Sequence, residues 1–128
     1  MRILVTGSRD WDDEERLRDI LTQMKLNPKT TVLVSGNCPT GADLMCEDFA
    51  IEHGWEVERH PANWEKHGKR AGFIRNFDMV SLGADICLAF IKNDSKGATM
   101  TLELARKADI QSYKIVPRPI NEVTRQRV

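Results

Sequence analysis

The 128-residue sequence predicts an α/β fold: one domain on an open parallel sheet of about five strands, with helices on both faces. Three observations carry this. Short β-rich runs alternate with longer segments of helical period from one end of the chain to the other. Three of the β-rich runs are nearly continuous in apolar residues, as expected of parallel strands covered on both faces. The length suffices to bury a core without disulfides or metals.

Taken in order, the first strand is expected at Ile3–Thr6, followed by a helix capped by Asp12 or Asp13. That helix carries Leu17, Ile20, Leu21 and Met24 at i, i+3, i+4 and i+7 and is closed by "NPK". The second strand is read at Thr31–Ser35. The next helix starts near Gly41, buries Ala42, Met45 or Cys46, Phe49 and Ala50, and ends at Gly54. A third strand at Glu56–His60 leads to a helix from about Lys69 to Leu82, stopped by Gly83. The fourth strand, Asp85–Phe90, precedes a helix from about Ala98 to Ala108 that offers Thr101, Leu104, Ala105 and Ala108 to the sheet. The last strand is Tyr113–Val116. The domain is bounded at 1–116; the closing "PRPINEVTRQRV" (117–128) has no period and reads as a tail, an edge strand or an oligomer arm.

Composition narrows the function classes. Apolar residues make 41% and charged residues 30%, and formal net charge is zero, so no bulk attraction to nucleic acid or membrane is expected. The three cysteines, Cys38, Cys46 and Cys87, are odd in number and show no C-x-x-C spacing, which favours free thiols in a reducing compartment. The opening "MRILVTGSRD" enters a strand-like run at once, and "ADICLAFI" is too short to span a membrane. A cytoplasmic protein without a membrane partner is expected.

In open α/β sheets, ligands bind beyond the carboxyl ends of the strands, near the switch in strand order. The loops there are "GSR", "SGNCPTGAD", "HPANW" and "IKNDSKGAT", and three of them combine glycine with Ser, Thr or Arg. Gly36 and Gly41 have the glycine spacing of a P-loop, but Ala42 and Asp43 stand where lysine and a hydroxyl belong. Triphosphate hydrolysis by this loop is therefore rejected. Helix-start amides can still hold an anion, and Asp43 can accept from a ribose hydroxyl. A plain strand-to-helix turn capped by Asp43 or Thr40 is the alternative.

Other candidates fall at the same edge. Gly7, Ser8 and Arg9 end the first strand; Arg9 suits a phosphate, or pairs on the surface with Asp10, Asp12 or Asp13. "HPANWEKHGKRAGFIRN" gathers Lys66, Lys69, Arg70 and Arg75. One of Arg70 and Arg75 is expected to face the crevice. Trp64 is read as stacking on a base or packing over the sheet edge. Ser95, Lys96, Gly97 and Ala98 form a second helix start able to cradle phosphate, while Glu103 pairs with Lys107 at i+4 unless it reaches the site. His53, His60 and His67 recur every seven residues without recognisable ligand spacing, so no metal is expected.

On "GSRDW", "SGNCPTGAD", "PANWEKHGKRAGFIRN", "ADICLAF" and "SKGATMTLELARKADI", the chain resembles the SLOG superfamily of Rossmann-like nucleotide-binding domains. The likeness is to its small YspA/cpYpsA-related branch of bacteria and their phages. Two relatives bracket the implied functions. LOG phosphoribohydrolases cleave the N-glycosidic bond of nucleoside 5′-monophosphates with a P-G-G-x-G-T-x-x-E loop and an upstream Arg-Lys pair. DprA-type proteins carry S-G-x-x-x-G-I-D and bind single-stranded DNA. By this resemblance Ser35, Gly36, Gly41 and Asp43 match the shared SG…GxD loop, Arg75 matches the LOG arginine, and Gly97 matches the last glycine of the PGGxGT loop. Asn76 replaces the lysine, Asp94 and Ser95 the proline and glycines, and Ala98 the threonine. Thr101 stands where the glutamate is expected, with Glu103 two residues late. Nucleotide binding survives these departures better than catalysis.

The resulting expectation is a binder of a nucleotide or nucleotide-derived small molecule, needing no cofactor and self-associating. Its ligand contacts are Gly7, Ser8, Arg9, Ser35, Gly36, Thr40, Gly41, Asp43, Asn63, Trp64, Arg75, Asn76, Ser95, Lys96, Gly97, Ala98 and Thr99. If it is an enzyme, it is an N-glycosidase using Arg75 with Glu103 or Asp43. The alternatives are a sequestering nucleotide sensor and a module for single-stranded nucleic acid or a protein partner, using "EKHGKRAGFIR" and the tail arginines.

Overall fold

The computed structural model describes residues 1–119. The elements are β1 (Arg2–Gly7), α1 (Glu14–Gln23), β2 (Val32–Ser35), α2 (Ala42–Glu52), β3 (Glu56–Arg59), α3 (Trp64–His67), α4 (Ala71–Ser81), β4 (Ile86–Phe90), α5 (Lys96–Lys107) and β5 (Gln111–Ile115). All strand pairs are parallel and lie in the order β3-β2-β1-β4-β5. The expected Rossmann-like α/β architecture is thus observed, and the strand order reverses between β1 and β4, where a ligand site is expected.

Alternate residues of the strands feed two cores. Ile3, Val5, Leu33, Leu88 and Phe90 point to one face and pack with Trp11, Leu17 and Leu21 near and on α1 and with Ala42, Cys46, Phe49 and Ala50 of α2. Leu4, Val34 and Cys87 point to the other, against Met79 and Val80 of α4 and Ala105 of α5. Ala89 and Ile91 meet Ala98 and Leu102 at the start of α5. The edge strands β3 and β5 carry mostly exposed or half-buried residues, which explains their weaker apolar runs in the sequence.

Local chemistry sets the helix starts. Asp13 caps α1, its side chain accepting from the Arg16 amide. Asn63 caps α3 in the same way, taking the Lys66 amide at 3.0 Å. This short helix and the 3₁₀ turn Gly68–Arg70 precede α4, so the single helix expected from Lys69 begins at Ala71 instead. In α5 the inward residues are Ala98, Thr101, Leu102 and Ala105; Ala108 is exposed beyond the last turn. No described helix is long and apolar enough to cross a membrane. The tail expected over 117–128 is described as far as Pro119: Arg118 binds Asp19 at 2.6 Å, and its amide reaches Asp13 at 2.8 Å, tying the segment to α1. Residues 120–128, with the remaining tail arginines, lie outside the described residues.

Candidate functional site

A crevice of about 480 Å³ opens at the β1/β4 switch point. Its walls are the loops after those two strands, and its floor is Gly36 with Asp43. One rim is made by α3 and the start of α4. Arg9, Lys69, Arg75 and Lys92 bring positive charge to its lining, against the carboxylates of Asp10 and Asp43.

Arg75 is held by three acceptors. Its Nε donates to Asn76 Oδ1 at 2.7 Å, and its Nη1 donates to the Gly36 carbonyl at 2.5 Å and the His60 carbonyl at 3.5 Å. Among the described residues, Nη2 makes no hydrogen bond. A guanidinium tethered through Nε and Nη1 keeps Nη2 as its free donor in a fixed plane, which suits an anion. Asn76 is itself buried and donates to the Gly97 carbonyl at 3.5 Å, linking Arg75 to the start of α5. Of the two arginines expected to compete for the crevice, Arg75 lines it and Arg70 does not.

Asp43 is part of the floor, with only 5% of its surface exposed. Its Oδ2 accepts from the Cys38 amide at 3.2 Å, whereas its Oδ1 is buried without a partner. Burial pushes the Asp43 carboxyl above the usual carboxylate range, with Cys38 hydrogen bonding and the Arg75 charge pulling it back. Cys38 shares this corner; burial and the neighbouring carboxylate hold its thiol protonated above the ordinary range.

The other expected site residues divide. Gly7, Ser8, Arg9, Gly36, Trp64, Asn76, Ser95, Gly97 and Ala98 line the crevice with Arg75 and Asp43. Ser35, Thr40, Gly41, Asn63, Lys96, Thr99 and Glu103 do not. Ser35 is fully buried, its hydroxyl donating to Glu47 at 2.8 Å, and Glu47 is paired with Arg59 at 2.6 Å. Thr40 donates to the Arg9 carbonyl at 3.1 Å and Gly41 packs on the same loop, so neither Thr40 nor Asp43 caps α2. Asn63 is spent on its own helix start, and Lys96 and Thr99 are not among the residues that line the opening. Glu103 sits on the exposed face of α5, because the inward positions there are Thr101, Leu102 and Ala105. Glu103 is therefore not positioned as the acid of a reaction in this crevice.

Some expected contacts serve structure. The Ser8 hydroxyl donates to the Lys92 carbonyl at 2.9 Å and accepts from the Lys92 amide at 2.8 Å. Gly7 allows α2 to approach β1: a Cβ there would fall 2.3 Å from the Ala42 Cβ. Gly97 has open space where a Cβ would be, which leaves the backbone at the start of α5 accessible.

Sequence reasoning did not single out Gly72, Phe73 and Cys38 as lining residues. Trp64 and Phe73 are each about half exposed at the rim. A Cβ on Gly72 would lie 3.7 Å from the Trp64 ring and 3.9 Å from Arg75 Nη2, so the missing side chain leaves the indole and the guanidinium edge neighbours. The signal for this was the "RAGFIR" spacing, with Gly72 three residues before Arg75 on one helical face. Among the described residues no group of three or more His, Cys, Asp or Glu is placed to hold a metal ion.

Comparison with known proteins adds two matches. The model of the family described as "YspA, cpYpsA-related SLOG family" matches residues 1–67. The chain is 39% identical over 124 residues to the Gene 61 protein of Mycobacterium phage D29, covering 92% of this chain and 98% of that protein. No solved structure matches it.

Proposed function

We propose, given that this chain belongs to the YspA, cpYpsA-related SLOG family, that its crevice binds a nucleotide or nucleotide-derived small molecule. The observation that carries the reading is Arg75, a lining residue tethered by three acceptors through Nε and Nη1, with Nη2 left without a partner among the described residues. A phosphate received by Arg75 Nη2 and by the Gly97 amide at the start of α5 gains charge-assisted hydrogen bonds, the Ala98 amide being taken by the Ser95 cap. Arg9 adds a positive charge to the lining, while the Lys92 ammonium is paired with Asp12 at 3.1 Å. Trp64 and Phe73 supply a planar apolar rim for a base. The volume lies within the usual range for small-ligand sites, roughly 300 to 1,000 Å³.

Hydrolysis of an N-glycosidic bond is the reaction this family resemblance suggests. Of the two carboxylates expected to serve it, Asp43 lines the crevice and Glu103 does not. Burial raises the Asp43 pKa above the ordinary carboxylate value, while the Cys38 hydrogen bonds and the Arg75 charge favour the ionised form. Base release on addition of nucleoside monophosphates identifies a hydrolase; binding without release identifies a sequestering protein.

The deciding experiment is a thermal-shift screen of nucleoside monophosphates, ADP-ribose, NAD and cyclic nucleotides. A ligand at 100 times its dissociation constant stabilises the fold by about 2.7 kcal/mol. Arg75→Ala is expected to weaken that ligand at least tenfold, and Arg75→Lys nearly as much, since lysine keeps the charge but not the fork. No shift with any nucleotide overturns the reading.

A second reading has its own observation. Trp64 and Phe73 are exposed in the same lining as Lys69, and neither Lys69 nor its chain neighbours Lys66 and Arg70 are ion-paired among the described residues. Stacking surfaces next to cations suit single-stranded nucleic acid. A steep loss of oligonucleotide affinity with added salt favours it.

A further inference from the structure

The least satisfied group of the crevice is Asp43. It is a carboxylate 5% exposed, on the inner side of the first turn of α2, with Oδ2 held by the Cys38 amide. Its Oδ1 is the one buried side-chain oxygen or nitrogen among the described residues that has no hydrogen-bond partner. Leaving such a group unpaired is costly, so a native chain that keeps it has a use for it or a partner that arrives later.

We infer that Asp43 is the sugar-reading residue of this crevice: its unpaired oxygen accepts a hydrogen bond from a ligand hydroxyl, selecting ribonucleotides over their deoxy counterparts. The inference rests on the nucleotide reading above and deepens it.

Charge and size choose the donor. A carboxylate accepts and does not donate, so it repels phosphate, which must lie toward Arg75 and Gly97 instead. The floor is narrow: a Cβ on Gly36 would come within 3.2 Å of Asp43 Oδ2 and 2.9 Å of Arg75 Nη1. Glycine at position 36 therefore lets the Asp43 carboxylate and the Arg75 guanidinium both close on the loop backbone, next to one another at the base of the crevice. A floor this closely packed takes no donor larger than a single hydroxyl, and a hydroxyl supplies the proton that Oδ1 lacks. The Cys38 thiol interacts with the carboxyl as a weak donor and leaves Oδ1 without a hydrogen-bond partner. With the guanidinium and the carboxylate on either side of one glycine, a molecule carrying a phosphate and a nearby hydroxyl is matched at both poles. A sugar phosphate has that pattern; a free base or an inorganic phosphate does not.

The test is calorimetric binding of the adenosine, guanosine, cytidine and uridine 5′-monophosphates, each beside its 2′-deoxy and 3′-deoxy analogue. For whichever ribonucleotide binds, at least one deoxy analogue is expected to bind roughly 10- to 100-fold more weakly, the range for a hydrogen bond to a charged group. In Asp43→Ala that ratio should collapse to about twofold or less. Asp43→Asn, which keeps the side-chain shape, serves if the alanine variant does not fold, and should shrink the ratio several-fold. Equal affinity for ribo and both deoxy forms overturns the inference while leaving the nucleotide reading intact. A ratio that persists in the variants assigns the hydroxyl to another residue and also overturns it. Failure of every nucleotide to bind removes the nucleotide reading and this inference together.

Discussion

Gly41 and Gly97 both looked like cradle glycines, yet the structure gives them opposite work. Gly41 has φ +75°, and a Cβ there would lie 2.3 Å from the Ser8 carbonyl oxygen. Gly41→Ala is therefore expected to destabilise the protein by about 3 kcal/mol or more, read from a urea melt, since both strain and a backbone clash oppose it. Gly97 lies in the first turn of α5 with nothing within 4 Å of a Cβ. Gly97→Ala should leave the melt unchanged or raise stability by up to about 1 kcal/mol, while weakening any crevice ligand. Spacing alone could not separate the two, because it locates residues along the chain and says nothing of which loop lies against them. Position alone left Arg70 and Arg75 open as the arginine facing the crevice; the resemblance to the LOG arginine singled out Arg75, which lines it.

Among the elements, the edge strand β3 contains the most telling ion pairs. Arg2 binds Glu58 through both nitrogens at 3.0 and 2.9 Å, and His60 Nε2 lies 2.8 Å from the same carboxylate. Hydrogen bonds from Arg2, then from His60, hold the Glu58 carboxyl at about 2. A carboxyl whose pKa is lowered by folding gives stability that is present above its unfolded value, near 4.5, and lost as pH falls toward about 2. Wild-type protein should therefore lose more stability than Glu58→Gln between those two pH values, as followed by thermal melts. Equal slopes remove Glu58 from the acid limb. The strands themselves were readable because apolar β-branched runs at the sheet centre have little alternative. The break of the helix expected from Lys69 into α3, a 3₁₀ turn and α4 was not readable. It depends on Gly68 at φ +55° and on Asn63 serving as a helix cap when its position suggested a ligand contact.

At the scale of the whole molecule, alternation of strands and helices announced a parallel sheet but not the order of its strands. That order follows from which side each crossover takes, settled by contacts between distant residues such as Thr6 with Ala89. The buried thiols report on the same long-range packing. Cys46 and Cys87 are enclosed, the latter pushed up to about 12 by burial, whereas Cys38 is partly open to the crevice. Native protein should accordingly be alkylated at Cys38 first, slowly because its thiol is also held protonated, with the other two reacting only on unfolding. A crevice ligand should slow Cys38 further, and mass spectrometry of iodoacetamide adducts reads both effects. The two bonds between Ser8 and Lys92 bear on how such a ligand enters. They stitch the loop after β1 to the loop after β4 at the point where a jaw would need its hinge. These two walls are thus a rigid slot, and a ligand's arrival should be governed by diffusion and charge, with no waiting step for the walls to part.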